Sequence, residues 1–301
     1  MNLMPALHLG APTQAGPLTV FPIWTDAPIA PVAYRTSLPA DARIDELDDP
    51  TVGRLRVTNA GTTPVLLLEG ALLDGGWQHR VVTRSMFVDA QTREDVEVAC
   101  VEQHRWSGGH GQQLARYRAP LAVRGALRGL RVEPLPTEAP DTGIDQGDVW
   151  QRVHRYEREL GGSETSSLVQ LQKRLDAELV HVLAAVRPMF GQRGVLIGAA
   201  GHPVLLEVFD DPQTLAEQWD ALLSAVALDA RLAPPKPTLG ARARAFVQRV
   251  AAAPLRVADA AGEALAVHAD DDLVSARGVA TDDRLLHLAV LNAKHQFVLA
   301  A

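Results

Sequence analysis

The chain has 301 residues, 47% of them apolar, with 29 basic and 36 acidic side chains and a single cysteine. That apolar share excludes a disordered or collagen-like chain, and the length suits one large or two modest domains, each able to bury a core. A net charge of −7 argues against a dedicated binder of nucleic acid or of anionic membranes, and one cysteine excludes an internal disulfide or a thiolate cluster for zinc or iron–sulfur. No apolar run approaches the ~20 residues of a membrane-spanning helix. Met1 to Gly16 carries no basic cluster and does not read as a secretory signal, so a cytoplasmic location is expected.

In chain order, residues 17–36 are proline-rich with short apolar runs and suggest strands at an edge or joined by turns. Residues 38–51 read as a loop or a short helix. Val52–Val57 alternates, Asn59–Gly61 is a turn, and Pro64–Leu68 is a buried strand. Beyond the Gly75-Gly76 turn, Val81–Val88 and Glu94–Glu102 are strand-like, and Val96, Val98 and Cys100 share one face of the second. This rhythm predicts an antiparallel sandwich or barrel over roughly residues 17–106. Residues 107–115 read as a glycine-rich loop.

Pro120–Arg131 predicts a short helix with proline in its first turn. Residues 133–147 read as a connector, and Asp148–Leu160 as a helix ending at Gly161-Gly162. Over Ser163–Val186, apolar residues from Leu168 to Val186 recur at three- and four-residue steps and predict another helix. Gly194–Gly198 and Val204–Phe209 read as a hairpin-like pair about Gly201–Pro203. Helices follow near Gln213–Leu228 and Leu239–Ala253, then strand-like runs at Leu255–Val257, Leu265–Val267, Leu285–Leu291 and Gln296–Leu299. The expected whole is an α+β protein: a β-rich, sandwich- or barrel-like domain over residues 1–132, a helical segment over 133–192, and an α/β part over 193–301.

Two segments place polar and aromatic residues where strands want plain ones: Glu69–Arg80 and Cys100–Trp106. If the strand pair between them is a hairpin, its outer ends bring Gln78, His79 and Arg80 close to Glu102, His104 and Arg105. Gly75 and Gly76 would let backbone come close to a ligand. Arg80 and Arg105 can grip a carboxylate or phosphate with two parallel bonds, and Trp77 or Trp106 can stack on a ring. Glu102, with His79 beside it, can orient a ligand or act as a base. The same residues also suit a turn with cross-strand ion pairs. No nucleophile, base and orienting group stand together, so the pattern leaves open whether this is an enzyme. Cys100 can be read as a nucleophile, but its alternating valine neighbours favour a small buried side chain. His79, Glu102, His104 and His110 are chemically competent metal ligands in no recognisable metal-site spacing, and no metal or cofactor is assigned.

Of the 29 bases, 26 are arginine. Six of them (105, 116, 118, 124, 128 and 131) occupy residues 103–132 without an acid, while residues 259–283 hold seven acids against Arg277 alone. The basic segment reads either as an anion funnel or as the counterpart of the acidic one, within the fold or across a homodimer.

Gly70–Arg80 and Val98–Trp106 resemble the paired signatures of the ARG and Rhodanese-Phosphatase-superfamily-associated domain family, approximately Gly-Gly-x-Gln-Asn-Arg and Pro-Val-x-Cys-Val-Glu-x-Gly-Arg-Trp. Val123-Arg124 and Asp145–Trp150 are similar to later pieces, so the resemblance covers most of residues 50–230. His79 replaces the usual Asn, His104 a Gly, and the strand at Ala99 lacks the usual proline. Gln78, Arg80, Glu102, Arg105 and Trp106 match. The family name implies association with ADP-ribose and phosphatase-type enzymes, hence nucleotide or phosphate metabolism. The leading expectation is a pocket for an anionic small molecule such as a nucleotide or ADP-ribose. The alternative is a non-enzymatic interaction or regulatory module that docks an acidic partner through its arginine-rich face.

Overall fold

A computed structural model of the chain describes residues 3–29, 33–132, 144–261 and 264–299. The first strands are β1 (Leu7–Leu9), β2 (Thr13–Ala15) and β3 (Leu18–Thr25). β3 pairs with β1 and β2 along one edge and, along the other, with a strand nearly two hundred residues away. Pro22 sits inside β3 without breaking it. Its carbonyl accepts from Gly10 N at 2.9 Å, between β1 and β2, so its missing N–H faces the gap where no neighbouring strand needs it.

The chain then builds β4 (Ala42–Asp45), β5 (Arg54–Asn59), β6 (Val65–Leu67), β7 (Ala71–Gly75), β8 (Arg80–Val82), β9 (Met86–Val88), β10 (Thr92–Cys100) and β11 (Gly111–Arg118). Six of these close an antiparallel barrel in the order β10-β5-β4-β11-β7-β8. Ile44, Leu55, Val57, Leu73, Val82, Val96 and Val98 form its core together with residues of the antiparallel pair β6–β9. The expected barrel is therefore present, over residues 42–118 rather than 17–106. Two of its strands come from segments read otherwise, 38–51 as a loop or a short helix and 107–115 as a loop. Neither carries clear apolar alternation, and both are strands because barrel closure supplies partners, with Ile44 opposite Gln112.

Three helices follow: α1 (Leu121–Leu127), α2 (Gln146–Leu160) and α3 (Leu168–Ala185). Pro120 precedes α1, Asp145 caps α2 through Gly147 N and Asp148 N, and Ser167 caps α3 through Gln170 N. Their apolar faces meet Leu72, Val81, Ala99 and Val101, the outward residues of the barrel strands. Residues 133–143 of the expected connector lie outside the described part.

The last elements are β12 (Gly194–Ala199), β13 (His202–Phe209), α4 (Pro212–Ala230), α5 (Gly240–Ala252), β14 (Arg256–Ala261), β15 (Ala264–Asp270), β16 (Val274–Ala280), β17 (Leu285–Asn292) and α6 (Gln296–Leu299). The hairpin turns at Ala200 and Gly201, both with positive φ. Among the described residues these strands join β1–β3 in a nine-stranded antiparallel sheet, β1-β3-β12-β13-β17-β16-β15-β14, with β2 beside β3. α4 packs on one face and α5 on the other, which is why Val195 and Ile197 join one core and Leu196 the other. The barrel is thus inserted into the chain between strands of one sheet. Gln296–Leu299, expected as a strand, is a helical turn, because β17 ends at Asn292 and the His295 ring accepts the Phe297 N–H at 3.1 Å.

Candidate functional site

The register of the barrel sets the site. Val98 pairs with Val82, and Cys100 with Arg80. Val82 and Val98 belong to the barrel core, so the two-residue period of a strand turns Arg80 and Cys100 inward as well. At that step the apolar core gives way to buried Glu46, Gln78, Arg80, Cys100 and Gln112. Cys100 donates its thiol to Glu102 O at 2.9 Å, and burial pushes the thiol pKa up.

Gly75 and Gly76 have φ of 119° and 54°, a conformation that turns the chain out of β7. A Cβ on Gly76 would stand 1.9 Å from the Gln112 amide nitrogen and 2.6 Å from Glu46 Oε1. The glycine is therefore required by the protein's own polar layer. There Glu46 Oε1 accepts from Trp77 N at 2.9 Å and from Gln112 Nε2 at 3.2 Å.

Glu102, fully buried, ties the two signature segments together. Its Oε2 accepts from His79 N at 2.8 Å and Arg105 Nη2 at 2.6 Å; its Oε1 accepts from Arg105 Nε at 3.0 Å and Thr165 Oγ1 at 2.6 Å. Burial alone would raise this carboxyl; Arg105, Thr165 and the His79 N–H overcome it and hold the acid below its ordinary range. Arg105 also donates to Gly75 O, Gly76 O and Ser107 O. A guanidinium has five N–H donors, and these contacts with Glu102 and the three carbonyls engage all of them. The His79 ring lies 2.6 Å from Ser167 Oγ through Nδ1 and 3.0 Å from Asp74 Oδ1 through Nε2. Burial outweighs both neighbouring carboxylates and lowers its pKa.

Arg80 is different. It is 0% exposed and donates from Nη1 to Gln78 Oε1 at 3.0 Å, while Nε and Nη2 have no acceptor. Among the described residues no carboxylate forms an ion pair with it. Gln78 in turn donates from Nε2 to Glu102 O at 2.9 Å. Glu46 Oε2 and Gln112 Oε1 are also buried without a donor. The Trp106 ring covers the guanidinium at 5.6 Å and is 45% exposed on its outer side. Trp77 meets Trp106 edge to face, with centroids 5.3 Å apart.

Several participants carried no local signal. Glu46 and Gln112 lie in the two segments not read as strands, and Thr165 and Ser167 in a stretch read only as a helix start. Gln146 grips both backbone groups of Cys100, N and O, at 2.8 Å each, so the Asp145–Trp150 string is joined to the Cys100–Trp106 string. Among the described residues no three His, Cys, Asp or Glu side chains converge as metal ligands, and His104 and His110 point outward.

Within the chain, each of the six arginines of the basic segment pairs with an acid outside residues 259–283. Arg116 pairs with Asp176, Arg131 with Asp145 and Asp148, and Arg105 with Glu102. Arg118, Arg124 and Arg128 are enclosed with Glu69 and Glu207. Helix α1 ends at Leu127, short of the Arg131 expected as its end, so Arg128 and Arg131 lie beyond it. The acids Asp270, Asp271 and Asp272 pair with Arg277, Arg249 and Lys294.

No curated protein and no solved structure matches the chain. The family model of the ARG and Rhodanese-Phosphatase-superfamily-associated Protein domain matches residues 6–291, which takes in the barrel, the three central helices and nearly all of the large sheet. The chain belongs to that family.

Proposed function

We propose that the polar end of the barrel binds the anionic group of a small molecule, with Arg80 as its seat. The observation that carries this reading is the pair of unused nitrogens on a fully buried guanidinium. Nε and Nη2 form the side-on edge that holds two carboxylate or phosphate oxygens at once, and Arg105 uses that edge on Glu102. A buried charge without a partner costs several kcal/mol. A bound phosphate or carboxylate supplies that partner.

The other signature residues build the walls. Gln78 fixes Arg80, Arg105 and Glu102 clamp the Gly75-Gly76 turn to the Cys100–Trp106 segment, and His79 braces Glu102. Trp106, with Trp77 behind it, offers a ring to the remainder of the ligand and must swing aside for entry. A carboxylate gripped by four donors is suited to holding this frame and is a poor base, so the reading is binding, with Glu102 and His79 as positioning residues. The family's name, which implies association with ADP-ribose and phosphatase-type enzymes, favours a phosphate-bearing ligand of the ADP-ribose or nucleotide kind.

Titration calorimetry and thermal shift with ADP-ribose, AMP and inorganic phosphate test this. Wild-type protein should bind at least one of them, Arg80→Met should bind none, and Arg80→Lys, which keeps the charge without the fork, should bind more weakly. Failure of all three to bind, or equal binding by folded Arg80→Met, would overturn it.

A further inference from the structure

A different group of side chains lies where the barrel meets the large sheet. A cleft of about 1210 Å³ opens there, and its lining includes Ser85, Glu69, Arg84, Arg128 and Arg277. Ser85 sits in the link between β8 and β9. Its Oγ lies 3.2 Å from His287 Nδ1, and His287 Nε2 lies 2.9 Å from Glu207 Oε1. His287 is on β17 and Glu207 on β13, both wholly buried.

The surroundings decide where each proton resides. Glu207 accepts from Arg118 Nη2 at 3.1 Å and Arg124 Nη1 at 3.2 Å, which keeps it ionised. An ionised Glu207 is an acceptor only, so His287 Nε2 carries the hydrogen of the contact between them. Burial and the two nearby arginines keep the ring neutral, so Nδ1 presents its lone pair to Ser85. The Glu69 N–H donates to Ser85 Oγ at 2.9 Å, which turns the hydroxyl proton toward that lone pair. A hydroxyl, a neutral imidazole and a carboxylate thus stand in line, with the hydroxyl on the cleft wall.

We propose that Ser85 is the nucleophile of a hydrolytic site, with His287 as its base and Glu207 holding the base, acting on carboxylic esters. In the first half-reaction Ser85 Oγ bonds to the ester carbonyl carbon while its proton passes to His287 Nδ1. The C–O bond to the alcohol then breaks, and His287 returns the proton to the departing oxygen. In the second, water attacks the acyl-serine, His287 takes the water proton, and the acid leaves as Ser85 Oγ recovers it. Glu207 stabilises the imidazolium at each stage. The cleft wall carries both signs of charge, with Arg84, Arg128 and Arg277 paired there to Glu97, Glu69 and Asp270.

A fluorophosphonate probe followed by peptide mass mapping tests the assignment on the full chain. One phosphonyl adduct is expected, on Ser85. Ser85→Ala should abolish it in natively folded protein, with the melting temperature lowered by the orphaned Glu69 N–H, and His287→Gln should slow labelling by at least about 100-fold. Should His287→Gln not fold, wild type against Ser85→Ala decides the matter. Natively folded wild-type protein that stays unlabelled on Ser85, or an unchanged labelling rate in folded His287→Gln, would overturn the proposal.

Discussion

Arg80 at the end of the barrel and Arg124 on α1 are 0% and 1% exposed, yet the protein treats the two guanidinium groups differently. Arg124 shares Glu69 and Glu207 with Arg118 and Arg128, and Arg128 adds bonds to Ser275 O and Ala289 O. Every guanidinium of that network, which joins barrel, helix and sheet, has a carboxylate partner, although Arg118 Nε and Arg124 Nη2 have no acceptor. Arg80 has one amide oxygen and an aromatic ring. The comparison separates two uses of a buried cation: one holds parts of the chain together, and the other keeps binding capacity in reserve.

The largest effect should come from opening that network. Glu207→Ala strands Arg118 and His287, leaves Arg124 with Glu69 alone, and is expected to lower unfolding free energy by about 3–5 kcal/mol. Arg80→Met removes a charge that has no carboxylate partner and should leave stability equal or higher. Urea unfolding of the two variants beside wild type checks this, and a loss in Arg80→Met as large as that in Glu207→Ala would erase the distinction drawn here.

How far each site was legible in the sequence follows from how its contacts are made. Gly75–Arg80 and Cys100–Trp106 announce themselves because glycine pairs, tryptophans and charges interrupt strand alternation, and pairing of β8 with β10 brings them together as the spacing suggested. The hairpin imagined between them does not exist: β9 pairs with β6, and the first half of β10 with β5. The alternation of Val96, Val98 and Cys100 reports which face is inward but not which strand lies alongside. Glu46 and Gln112 were hidden because their strands owe their form to barrel closure. Ser85, Glu207 and His287 come from a strand link and two sheet strands, with 202 residues between Ser85 and His287. No local window holds them. Buried arginines mislead most, since a run of six suggests an exposed basic face while each already has an acid assigned elsewhere in the chain.

The next effect concerns two buried carboxyls with opposite surroundings. Glu207 is held below the ordinary range; burial opposes this, and Arg118, Arg124 and His287 prevail. Its contribution to stability is present above the pKa of an unfolded glutamate and is lost as pH falls through its folded value. Asp229 is pushed up to about 7 by burial, despite hydrogen bonds from Tyr156 and the N–H groups that open α1. Its folded form binds a proton more tightly than the unfolded chain does. Its contribution is therefore complete below about pH 4 and is lost as pH rises toward 7, by up to about 1.4 kcal/mol per unit. Asp229→Asn should flatten that part of the profile, as followed by unfolding free energy between pH 4 and 8. An unchanged slope would mean that Asp229 is not the group responsible.

The smallest effect should come from Trp106, and it sharpens the view of Arg80 as held in reserve. Nearly half of the ring is exposed, so Trp106→Ala should lower stability less than Glu207→Ala does, while it uncovers the guanidinium. Loss of the cation–π contact, about 0.5–2 kcal/mol, then acts on the free protein and on the complex in opposite senses. If the ring only shields Arg80, the variant should bind phosphate faster and more tightly than wild type. If the ring also stacks on the ligand, phosphate should bind faster while ADP-ribose, which has a base to lose, binds several-fold more weakly. Stopped-flow and calorimetry with the two ligands separate these outcomes. Equal affinities and rates for both, in wild type and variant, would show that Trp106 takes no part in the site.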